Sequence, residues 1–295
     1  MYKWDASTGL VPLGAVAWAR VGAPAISQDG NTVSFANITI NTRPELGALQ
    51  TPVIVTYKQG VEKMVFRNQL SGNGWVRNHL SPDGTFLLGG KMGASGQTAN
   101  AARYNLNTGL VDVVPDPAGI DFVSYGGISL SGEHKLFLEG GEWSVGNYYQ
   151  KGNGDMVPVP LWLVQGLSAN GQFVLGEAAC DSQGKAGICT AVWNTSSQEV
   201  QEVGYFRPTG MNQDASLIVG NGWSDIPGAK VWDAFNGVRE FAAVLAQHGA
   251  ESTGWSNFQG LTVSPDGNYI AGFGTNPYGE RKPFVVRIIP ECRGF

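Results

Sequence analysis

Short apolar runs that end in glycine recur along the chain and predict β-strands. Phe86–Gly89 and Phe173–Gly176 are typical, because aromatic and aliphatic residues precede the glycine in both. One segment differs from this pattern. Residues 239–248 combine helix-forming residues with apolar side chains at helical spacing, and Gly249 follows as a stop signal. A short helix is therefore predicted there, either packed over the edge of a sheet or exposed for docking a partner.

A turn motif precedes these runs and repeats through the chain. It consists of an apolar residue, serine, a variable residue, aspartate and glycine. The clear copies are Ile26–Gly30, Leu80–Gly84 and Val263–Gly267, and the weaker ones are Ile128–Gly132, Leu167–Gly171 and Met211–Ala215. Their last positions, 30, 84, 132, 171, 215 and 267, are 54, 48, 39, 44 and 52 residues apart. This spacing is close to the period of roughly 40–50 residues in propeller blades.

Each repeat carries signals for four strands. Asp-Gly and Asn-Gly pairs supply the positive φ that a tight hairpin needs between the first two strands. A third strand with an aromatic residue follows, as in Ala191–Asn194, and a Thr-Gly or Asn-Gly turn leads to a fourth strand, as in Asn107–Val113. Four antiparallel strands repeated radially form a β-propeller. The sequence predicts an all-β, single-domain propeller over residues 1–295.

Six copies of the turn predict six blades, although seven are possible. Residues 2–14 have the pattern of third and fourth strands without a first and second, and residues 258–275 supply a hairpin at the other end. The two termini would then complete one blade, close the ring and remove exposed sheet edges. Phe284–Ile288 supplies one strand more than this closure needs.

Composition agrees with a turn-rich β protein. Of 295 residues, 42 are glycine, and charged residues make up 15% of the chain. The glycine content is about twice the average and the charged fraction well below it, which argues against coiled coils, long solvated helices and disordered acidic tails.

The charge balance argues against nucleic acid and membranes as partners. Lys and Arg total 19 against 24 Asp and Glu, so the net charge is −5. Nucleic-acid binding draws most of its affinity from basic surfaces. No apolar run approaches the roughly 18 residues of a membrane span. The first residues, Met1–Asp5, lack the apolar core of a secretory signal, so the protein is cytosolic or a leader was removed.

Three cysteines bear on the compartment. Cys180 and Cys189 flank a polar, glycine-bearing stretch between two apolar strands, and in a hairpin they would lie within disulfide reach. The alternative is two unrelated thiols. A disulfide would indicate an oxidising compartment. Cys292 has no evident partner in the chain.

The two ends of the chain show a family resemblance. The segments that carry it are Gly254–Ser256, Gly260–Gly267, Ile270–Pro277, Pro283–Val286 and, at the start, Trp4–Leu10. This arrangement resembles the extracellular propeller repeats named HAF repeats for a His-Ala-Phe tripeptide, which occur in bacterial secreted and surface proteins.

The tripeptide itself is absent. Its positions hold Lys282–Phe284 and Ala101–Arg103. The Ser-Pro-Asp-Gly copies are also similar to the repeats of periplasmic TolB-type propellers. The resemblance implies an extracellular or periplasmic location, and it brings no catalytic residues because the shared positions are structural.

Candidate catalytic residues are sparse. His79, His134 and His248 fall on different predicted elements without the spacing of metal ligands, so no metal or cofactor is predicted. The aspartates of the repeated turns suit local hydrogen bonding better than paired acid–base catalysis. If the chain is a lyase, Tyr125 with His79 or Arg77 would provide the base and the group that neutralises a uronate carboxylate.

Candidate ligand-binding residues are aromatic, arginine and asparagine side chains near the start of each innermost strand. They are Trp18, Arg20, Trp75, Arg77, Tyr125, Arg207, Trp255 and Asn257. Such side chains suit stacking on sugar rings and hydrogen bonding to carboxylates. They would equally fill a central channel by packing. Polar loops at 41–50, 92–99, 181–187 and 222–228 would form the rim.

Three functions remain open. The first is a secreted or periplasmic propeller that binds a polysaccharide or a cell-surface protein without catalysis, as a monomer or part of a larger surface protein. The second is a carbohydrate-active enzyme, most naturally a polysaccharide lyase acting on a uronate-containing glycan. The third is an inert fragment of a larger surface protein.

Overall fold

The computed structural model describes most of the chain in twelve stretches. These are residues 2–5, 9–12, 25–27, 32–41, 49–58, 61–66, 79–92, 99–113, 123–139, 146–182, 185–247 and 253–288. The chain divides into two compact units, of which the first comprises residues 1–125 with 139–144 and the second the remainder.

The first unit contains sheets 1 to 3, in which every strand pairs antiparallel with its neighbour in the chain. Sheet 1 consists of β1 (Tyr2–Asp5) and β2 (Gly9–Pro12). Sheet 2 consists of β3 (Ala25–Ile26), β4 (Thr32–Asn41), β5 (Leu49–Lys58) and β6 (Val61–Phe66). Sheet 3 consists of β7 (His79–Leu80), β8 (Phe86–Met92), β9 (Ala99–Asn105) and β10 (Val111–Val113).

The remaining sheets follow the same meander. Sheet 4 consists of β11 (Val123–Ile128), β12 (His134–Glu139), β13 (Asn147–Lys151) and β14 (Val157–Pro158). Sheet 5 consists of β15 (Gly166–Leu167), β16 (Phe173–Ser182), β17 (Lys185–Asn194) and β18 (Val200–Gly204). Sheet 6 consists of β19 (Arg207–Met211), β20 (Leu217–Asn221), β21 (Ala229–Asp233) and β22 (Gly237–Glu240). Helix α1 (Phe241–Gln247) precedes sheet 7, which consists of β23 (Ser256–Val263), β24 (Tyr269–Thr275) and β25 (Arg281–Arg287).

All six predicted turn motifs lie between the first and second strands of sheets 2 to 7. In every copy the first strand ends just before the serine position, and the second strand begins five residues after it. The predicted four-stranded antiparallel sheets are confirmed for sheets 2 to 6. Within the described residues, β1 and β2 pair only with each other and β23 to β25 form a sheet of three, so the blade count and the ring closure stay predictions.

The hydrogen bonds of the turn explain why its sequence repeats. Ser81 Oγ accepts the N–H of Phe86 at 2.8 Å and donates to the Asp83 carboxylate at 2.6 Å. That carboxylate also accepts the N–H of Thr85 at 3.0 Å. Partial burial opposes ionisation of Asp83, but these hydrogen bonds outweigh it and lower its pKa. Gly84 completes the turn with a φ of +68°.

The degenerate copy in sheet 6 keeps these roles with different residues. Asn212 Oδ1 takes the place of the serine hydroxyl and accepts the N–H of Leu217 at 3.0 Å. Asp214 accepts the N–H of Ser216 at 3.1 Å, and Ala215 stands at the glycine position with a φ of +56°. The turn therefore depends on acceptor positions and not on the serine itself.

Adjacent turns contact each other in the second unit. The N–H of Leu130 donates to the carbonyl of Ala169 at 2.8 Å between sheets 4 and 5. The N–H of Gln213 donates to the carbonyl of Pro265 at the same distance between sheets 6 and 7. Gly171 approaches His134 so closely that a Cβ would lie 2.3 Å from the imidazole Cγ. Glycine is required there by both its φ of +78° and this contact.

A second turn type joins the third and fourth strands. Asn194 Oδ1 accepts the N–H groups of Ser196 and Ser197 at 2.9 and 3.1 Å. Asn105 and Asp233 do the same in sheets 3 and 6. The residue four positions further on has positive φ in all three sheets, and it is Gly109, Gln198 and Gly237 in sheets 3, 5 and 6 respectively.

Replacing Gln198 with glycine is expected to raise the free energy of unfolding by about 0.5–1 kcal/mol. The exposed Gln198 has a φ of 60°, which disfavours any side chain by about 1–2 kcal/mol, whereas the added freedom of glycine in the unfolded chain offsets part of this gain. Urea denaturation measures the change. Gln201→Gly, on the exposed strand β18 nearby, is the control and should destabilise. An unchanged or lower stability for Gln198→Gly would contradict the strain at this turn.

The sheets of the second unit are buried on both faces. In β16, Val174 and Ala178 pack towards sheet 4, whereas Leu175 packs towards sheet 6. In β20, Ile218 packs towards sheet 5 and Val219 towards sheet 7. Two-sided burial of this kind accounts for the low charged fraction of the sequence.

The predicted helix is present but begins later than predicted. Arg239 and Glu240 belong to β22, because they pair in the ladder with Val231 and Lys230. Ion pairs to Asp233 and Lys230 hold the same two side chains on the sheet. The buried residues of α1, Phe241, Val244 and Leu245, pack in one apolar cluster with residues of sheets 6 and 7. His248 lies outside the described residues.

No helix among the described residues is long and apolar enough to cross a membrane.

Candidate functional site

A disulfide joins Cys180 and Cys189 across the hairpin of sheet 5, with a Cα–Cα distance of 5.8 Å. The predicted pairing is thus confirmed, but the predicted polar loop between the two residues is largely strand. β16 continues to Ser182 and β17 starts at Lys185, with Cys180 opposite Gly187 in the ladder. The hairpin extends because its backbone groups remain paired almost to the tip.

Glu177 lies three residues before the disulfide on β16, and only 1% of its side chain is exposed. Its partner in the ladder is Thr190 on β17. The Thr190 hydroxyl donates to the carbonyl of Phe206 at 2.6 Å, which ties sheet 5 to the residue before β19. A buried carboxylate is destabilising without a charged or hydrogen-bonding partner, so the surroundings of Glu177 are informative.

Arg207, the first residue of β19, provides a cation for this carboxylate. Its Nε lies 3.6 Å from Glu177 Oε1, and 54% of its side chain is exposed. The guanidinium carbon also lies 5.1 Å from the centre of the Trp223 ring, within the range of a cation–π contact. Arg207 therefore contacts both Glu177 and Trp223, while about half of its side chain is exposed.

Tyr205 and Asp225 extend this group of residues. The rings of Tyr205 and Trp223 lie 5.9 Å apart, and the Tyr205 hydroxyl donates to Asp225 Oδ2 at 3.4 Å. Partial burial and the Asp225 carboxylate raise the pKa of Tyr205, so its hydroxyl stays protonated at neutral pH. We call Glu177, Tyr205, Arg207, Trp223 and Asp225 the Arg207 cluster.

The loop that carries Trp223 and Asp225 is closed tightly at its base. The N–H of Gly222 donates to the carbonyl of Gly228 at 2.6 Å. A Cβ on Gly222 would lie only 1.8 Å from the carbonyl oxygen of Ile226, so glycine is required there. This loop coincides with the rim loop predicted at 222–228.

Two buried polar atoms beside the loop lack a hydrogen-bond partner among the described residues. They are Asn221 Oδ1 and Trp223 Nε1. Asn221 lies directly opposite Arg207 in the ladder of sheet 6. An unpaired buried polar group is unfavourable by about 1–3 kcal/mol, so we expect these two atoms to be hydrogen-bonded to buried water.

The cluster offers complementary groups for a polar ligand. Arg207 presents a planar set of N–H donors, the exposed Asp225 carboxylate accepts hydrogen bonds, and Tyr205 and Trp223 are aromatic. Among the described residues, no group of three or more His, Cys, Asp or Glu side chains could hold a metal ion.

The other predicted ligand residues fall in different places. Trp18, Arg20, Trp75 and Arg77 lie outside the described residues. Tyr125 lies on β11 and His79 on β7, each the first strand of its sheet, but only their backbone positions are described.

Trp255 and Asn257 lie at sheet 7 and make contacts within it. The Trp255 ring meets Phe284 edge-on at 6.5 Å, and Asn257 Nδ2 donates to Thr275 Oγ1 at 3.3 Å. For Trp255 the packing interpretation is thus better supported than the ligand interpretation. Arg207 is the predicted ligand residue that lies in the cluster.

Sequence reasoning missed four residues of the cluster. Glu177 could have been found, because it is the single charged residue in the apolar stretch Phe173–Cys180. Trp223 and Asp225 lie in a loop that was predicted, but nothing in the sequence distinguishes them there. Tyr205 lies in the short connection between β18 and β19, which brings it next to Trp223.

The fold resembles solved structures. The chain has a TM-score of 0.61 and 14% identity to an oligogalacturonate lyase in complex with manganese, over 98% of this chain and 82% of that one. The β-propeller domain of the Trilobed protease from Pyrococcus furiosus has a TM-score of 0.54 and 10% identity, over 92% of this chain and 82% of that one. TolB from Acinetobacter baumannii has a TM-score of 0.51 and 16% identity, over 74% of this chain and 55% of that one.

The likeness is to β-propellers. The solved structures include TolB-type propellers, which supports the coarse resemblance seen in the turn motifs. The chain spans 55% of the length of the Acinetobacter TolB. No protein-family model matches the chain, and no curated protein matches it by sequence. The HAF-type assignment in particular stays a prediction.

Proposed function

We propose that this chain is a secreted or periplasmic β-propeller that binds a polysaccharide through the Arg207 cluster. In this proposal the sheets are blades of a six-membered ring, closed by the strands of the two termini. The observation that carries the proposal is the position of Arg207. Its half-exposed side chain contacts both the buried Glu177 carboxylate and the Trp223 ring.

Preorganisation makes this arrangement suitable for binding. A free arginine side chain loses rotamer entropy when it captures a ligand, whereas Arg207 already has contacts that restrict it. The adjacent aromatic rings of Trp223 and Tyr205 provide apolar surface next to polar groups, as sugar rings require. A surface protein would be the alternative ligand of the same binding function.

The compartment is proposed from two observations. The Cys180–Cys189 disulfide fits an oxidising environment, where such bonds persist. The TolB proteins among the similar structures fit a location outside the cytoplasm.

Replacing Arg207 with alanine is expected to weaken polysaccharide binding about 10- to 100-fold, because a charged hydrogen-bond donor contributes about 1.5–3 kcal/mol. A glycan array followed by calorimetry on each hit measures the effect. Arg207→Lys, which keeps the charge but loses the planar fork, should also bind less well.

Arg103→Ala is the matched control for this experiment. Arg103 likewise stacks on an aromatic ring, Phe86, at 4.7 Å and forms an ion pair with Asp112 at 2.7 Å, but it lies on sheet 3. Its replacement should leave binding unchanged. Equal losses for both variants, or no binding of any glycan by the wild-type protein, would contradict the proposed function.

A polysaccharide lyase is the second candidate, because the oligogalacturonate lyase shares the fold over nearly the whole chain. Tyr125, His79 and Arg77 would carry the chemistry, with a base removing a proton and a cation offsetting the uronate carboxylate. Lyases leave an unsaturated sugar that absorbs ultraviolet light. If the wild-type protein forms such products from uronate-containing polysaccharides and Tyr125→Phe does not, the function is catalysis and not binding alone.

A further inference from the structure

Trp162 and Leu163 are exposed apolar residues in the connection between β14 and β15. Their exposed fractions are 49% and 40%, whereas their neighbours Leu161 and Val164 are buried in the apolar cluster of sheets 4 and 5. Among the residues whose side chains are described, Trp162 is the one exposed tryptophan. An indole that could pack inwards, as its neighbours do, is instead open to solvent.

The backbone that carries Trp162 is fixed against sheet 5. The N–H of Trp162 donates to the carbonyl of Glu177 at 2.7 Å, and the N–H of Glu177 donates to the carbonyl of Leu163 at 3.2 Å. The buried Asn147 amide donates to the Trp162 carbonyl at 3.3 Å. A Cβ on Gly176 would lie 2.9 Å from the Leu163 carbonyl oxygen, so this close approach requires glycine. A ligand that covers the indole therefore has to immobilise only a side chain.

Glu177 connects Trp162 to the Arg207 cluster. Its backbone is hydrogen-bonded to Trp162, and its side-chain oxygen lies 3.6 Å from Arg207 Nε. Hydrogen-bonded neighbouring segments lie about 4.8 Å apart, so Trp162 and Arg207 both adjoin the same residue of β16. Both side chains are about half exposed. A ligand can thus contact the two from solvent without reaching any buried group.

We infer that Trp162 stacks on a second sugar ring of the polysaccharide, next to the ring that contacts Arg207. This inference rests on the proposed function and extends its site to a ligand of at least two sugar units. A sugar ring has C–H groups on its faces and hydroxyls around its edge. A flat apolar side chain covers one face and leaves the hydroxyls free for hydrogen bonds, and Leu163 adds apolar surface beside it.

The size and composition of this surface favour a sugar chain over a protein partner. A tryptophan and a leucine next to the half-exposed Arg207 and the exposed Asp225 form a small surface of mixed polarity. Protein interfaces bury about 800 Å² on each partner, which is far more than two apolar side chains provide. Sites for small ligands combine apolar and aromatic side chains with a few polar groups, as here.

Calorimetry with oligosaccharides of one to six units tests the inference. The probes are oligomers of galacturonate, glucose and xylose, together with oligomers of the same lengths cut from any polysaccharide bound on the glycan array. Single units are measured by competition with a longer oligomer. The variants are Trp162→Ala, Trp162→Phe and Arg207→Ala, and a thermal melt checks that each is folded.

Phe235→Ala is the matched control. Phe235 is an aromatic residue in the same unit and is 90% exposed. It lies in the turn between β21 and β22, at the opposite end of sheet 6 from Arg207. Its replacement should leave the affinity for every oligomer unchanged.

Wild-type affinity should rise with oligomer length, because only a longer ligand reaches the second position. Trp162→Ala should weaken the longer oligomers about 10- to 30-fold, since stacking removes on the order of 80 Å² of apolar surface from water. The same change should leave single units unaffected, whereas Trp162→Phe should keep most of the affinity. The longest oligomer should also protect the fluorescence of the wild-type protein from acrylamide more than that of Trp162→Phe, because it covers the indole.

The inference and the proposed function fail in different ways. If Trp162→Ala binds every length as the wild-type protein does while Arg207→Ala weakens them all, the inference is wrong and the proposed function stands. An equal loss at every length, single units included, would place Trp162 against the first sugar and overturn the second position. If no oligomer binds, or if Arg207→Ala changes nothing, the proposed function fails together with the inference.

Discussion

Gly171→Ala should lower the free energy of unfolding by about 2–4 kcal/mol, because the added methyl group is unfavourable in two ways. Left-handed backbone geometry disfavours a non-glycine residue by about 1–2 kcal/mol. Overpacking adds roughly 1–3 kcal/mol, because the new Cβ would meet the His134 ring at 2.3–2.6 Å.

The ring of His134 cannot move aside without loss. Its Nδ1 is hydrogen-bonded to the Tyr149 hydroxyl at 2.5 Å, and the Tyr149 ring packs edge-on against the buried Trp193 at 5.6 Å. Burial lowers the pKa of His134, so the imidazole is neutral in the folded protein at neutral pH. The clash at Gly171 is therefore transmitted to the core between sheets 4 and 5.

Chemical denaturation of Gly171→Ala and two companions would isolate the contact. Gly237→Ala has similar backbone geometry, with a φ of +68°, but no atom lies within 4 Å of the new Cβ. It should be less stable than the wild-type protein by about 1 kcal/mol. The double variant His134→Ala with Gly171→Ala should be more stable than the sum of the two single changes predicts. Equal losses for Gly171→Ala and Gly237→Ala would show that the close contact is unimportant.

Removing the disulfide by the double change Cys180→Ala and Cys189→Ala is expected to destabilise the protein by about 2–3 kcal/mol. The two cysteines are nine residues apart in sequence. Closing a loop of that length lowers the conformational entropy of the unfolded chain, which stabilises the folded protein by about 2–3 kcal/mol. Both side chains are buried, so alanine keeps the environment apolar.

The comparison needs both a chemical and a genetic control. The wild-type protein in reductant should match the double variant, and Cys292→Ser should have no effect in either state. Binding at the Arg207 cluster should weaken as well, because Glu177 and Thr190 are paired on the same hairpin. If the wild-type protein is equally stable with and without reductant, the disulfide does not stabilise the fold.

The sequence was sufficient to predict the sheets because its turns repeat. The Ser-x-Asp-Gly motif recurs because its side chains form hydrogen bonds within the turn itself, as Ser81 does with Asp83 and Phe86. Local chemistry of that kind is readable without knowledge of distant contacts. The end of the Cys180–Cys189 hairpin was not predicted, because its polar residues favour a loop while ladder pairing keeps them in strands.

The Arg207 cluster depends on contacts that are distant in sequence. Arg207 and Glu177 are thirty positions apart and lie on different sheets, so neither residue identifies the other in the sequence. Trp255 shows the same limit, since this predicted ligand residue contacts Phe284 within its own sheet. Residue type and position near a strand start are therefore insufficient to identify a ligand site.

The repeated turn also bears on how such a chain can lengthen or shorten. Its hydrogen bonds are made by its own six residues, and it meets the neighbouring turn through one N–H and one glycine, as between Leu130, Ala169 and Gly171. A gene segment encoding one sheet could thus be duplicated or exchanged together with its turn, and the new copy would bring its own turn hydrogen bonds. Repeat length varies from 39 to 54 residues here, but the spacing between the first and second strands is the same in all six copies.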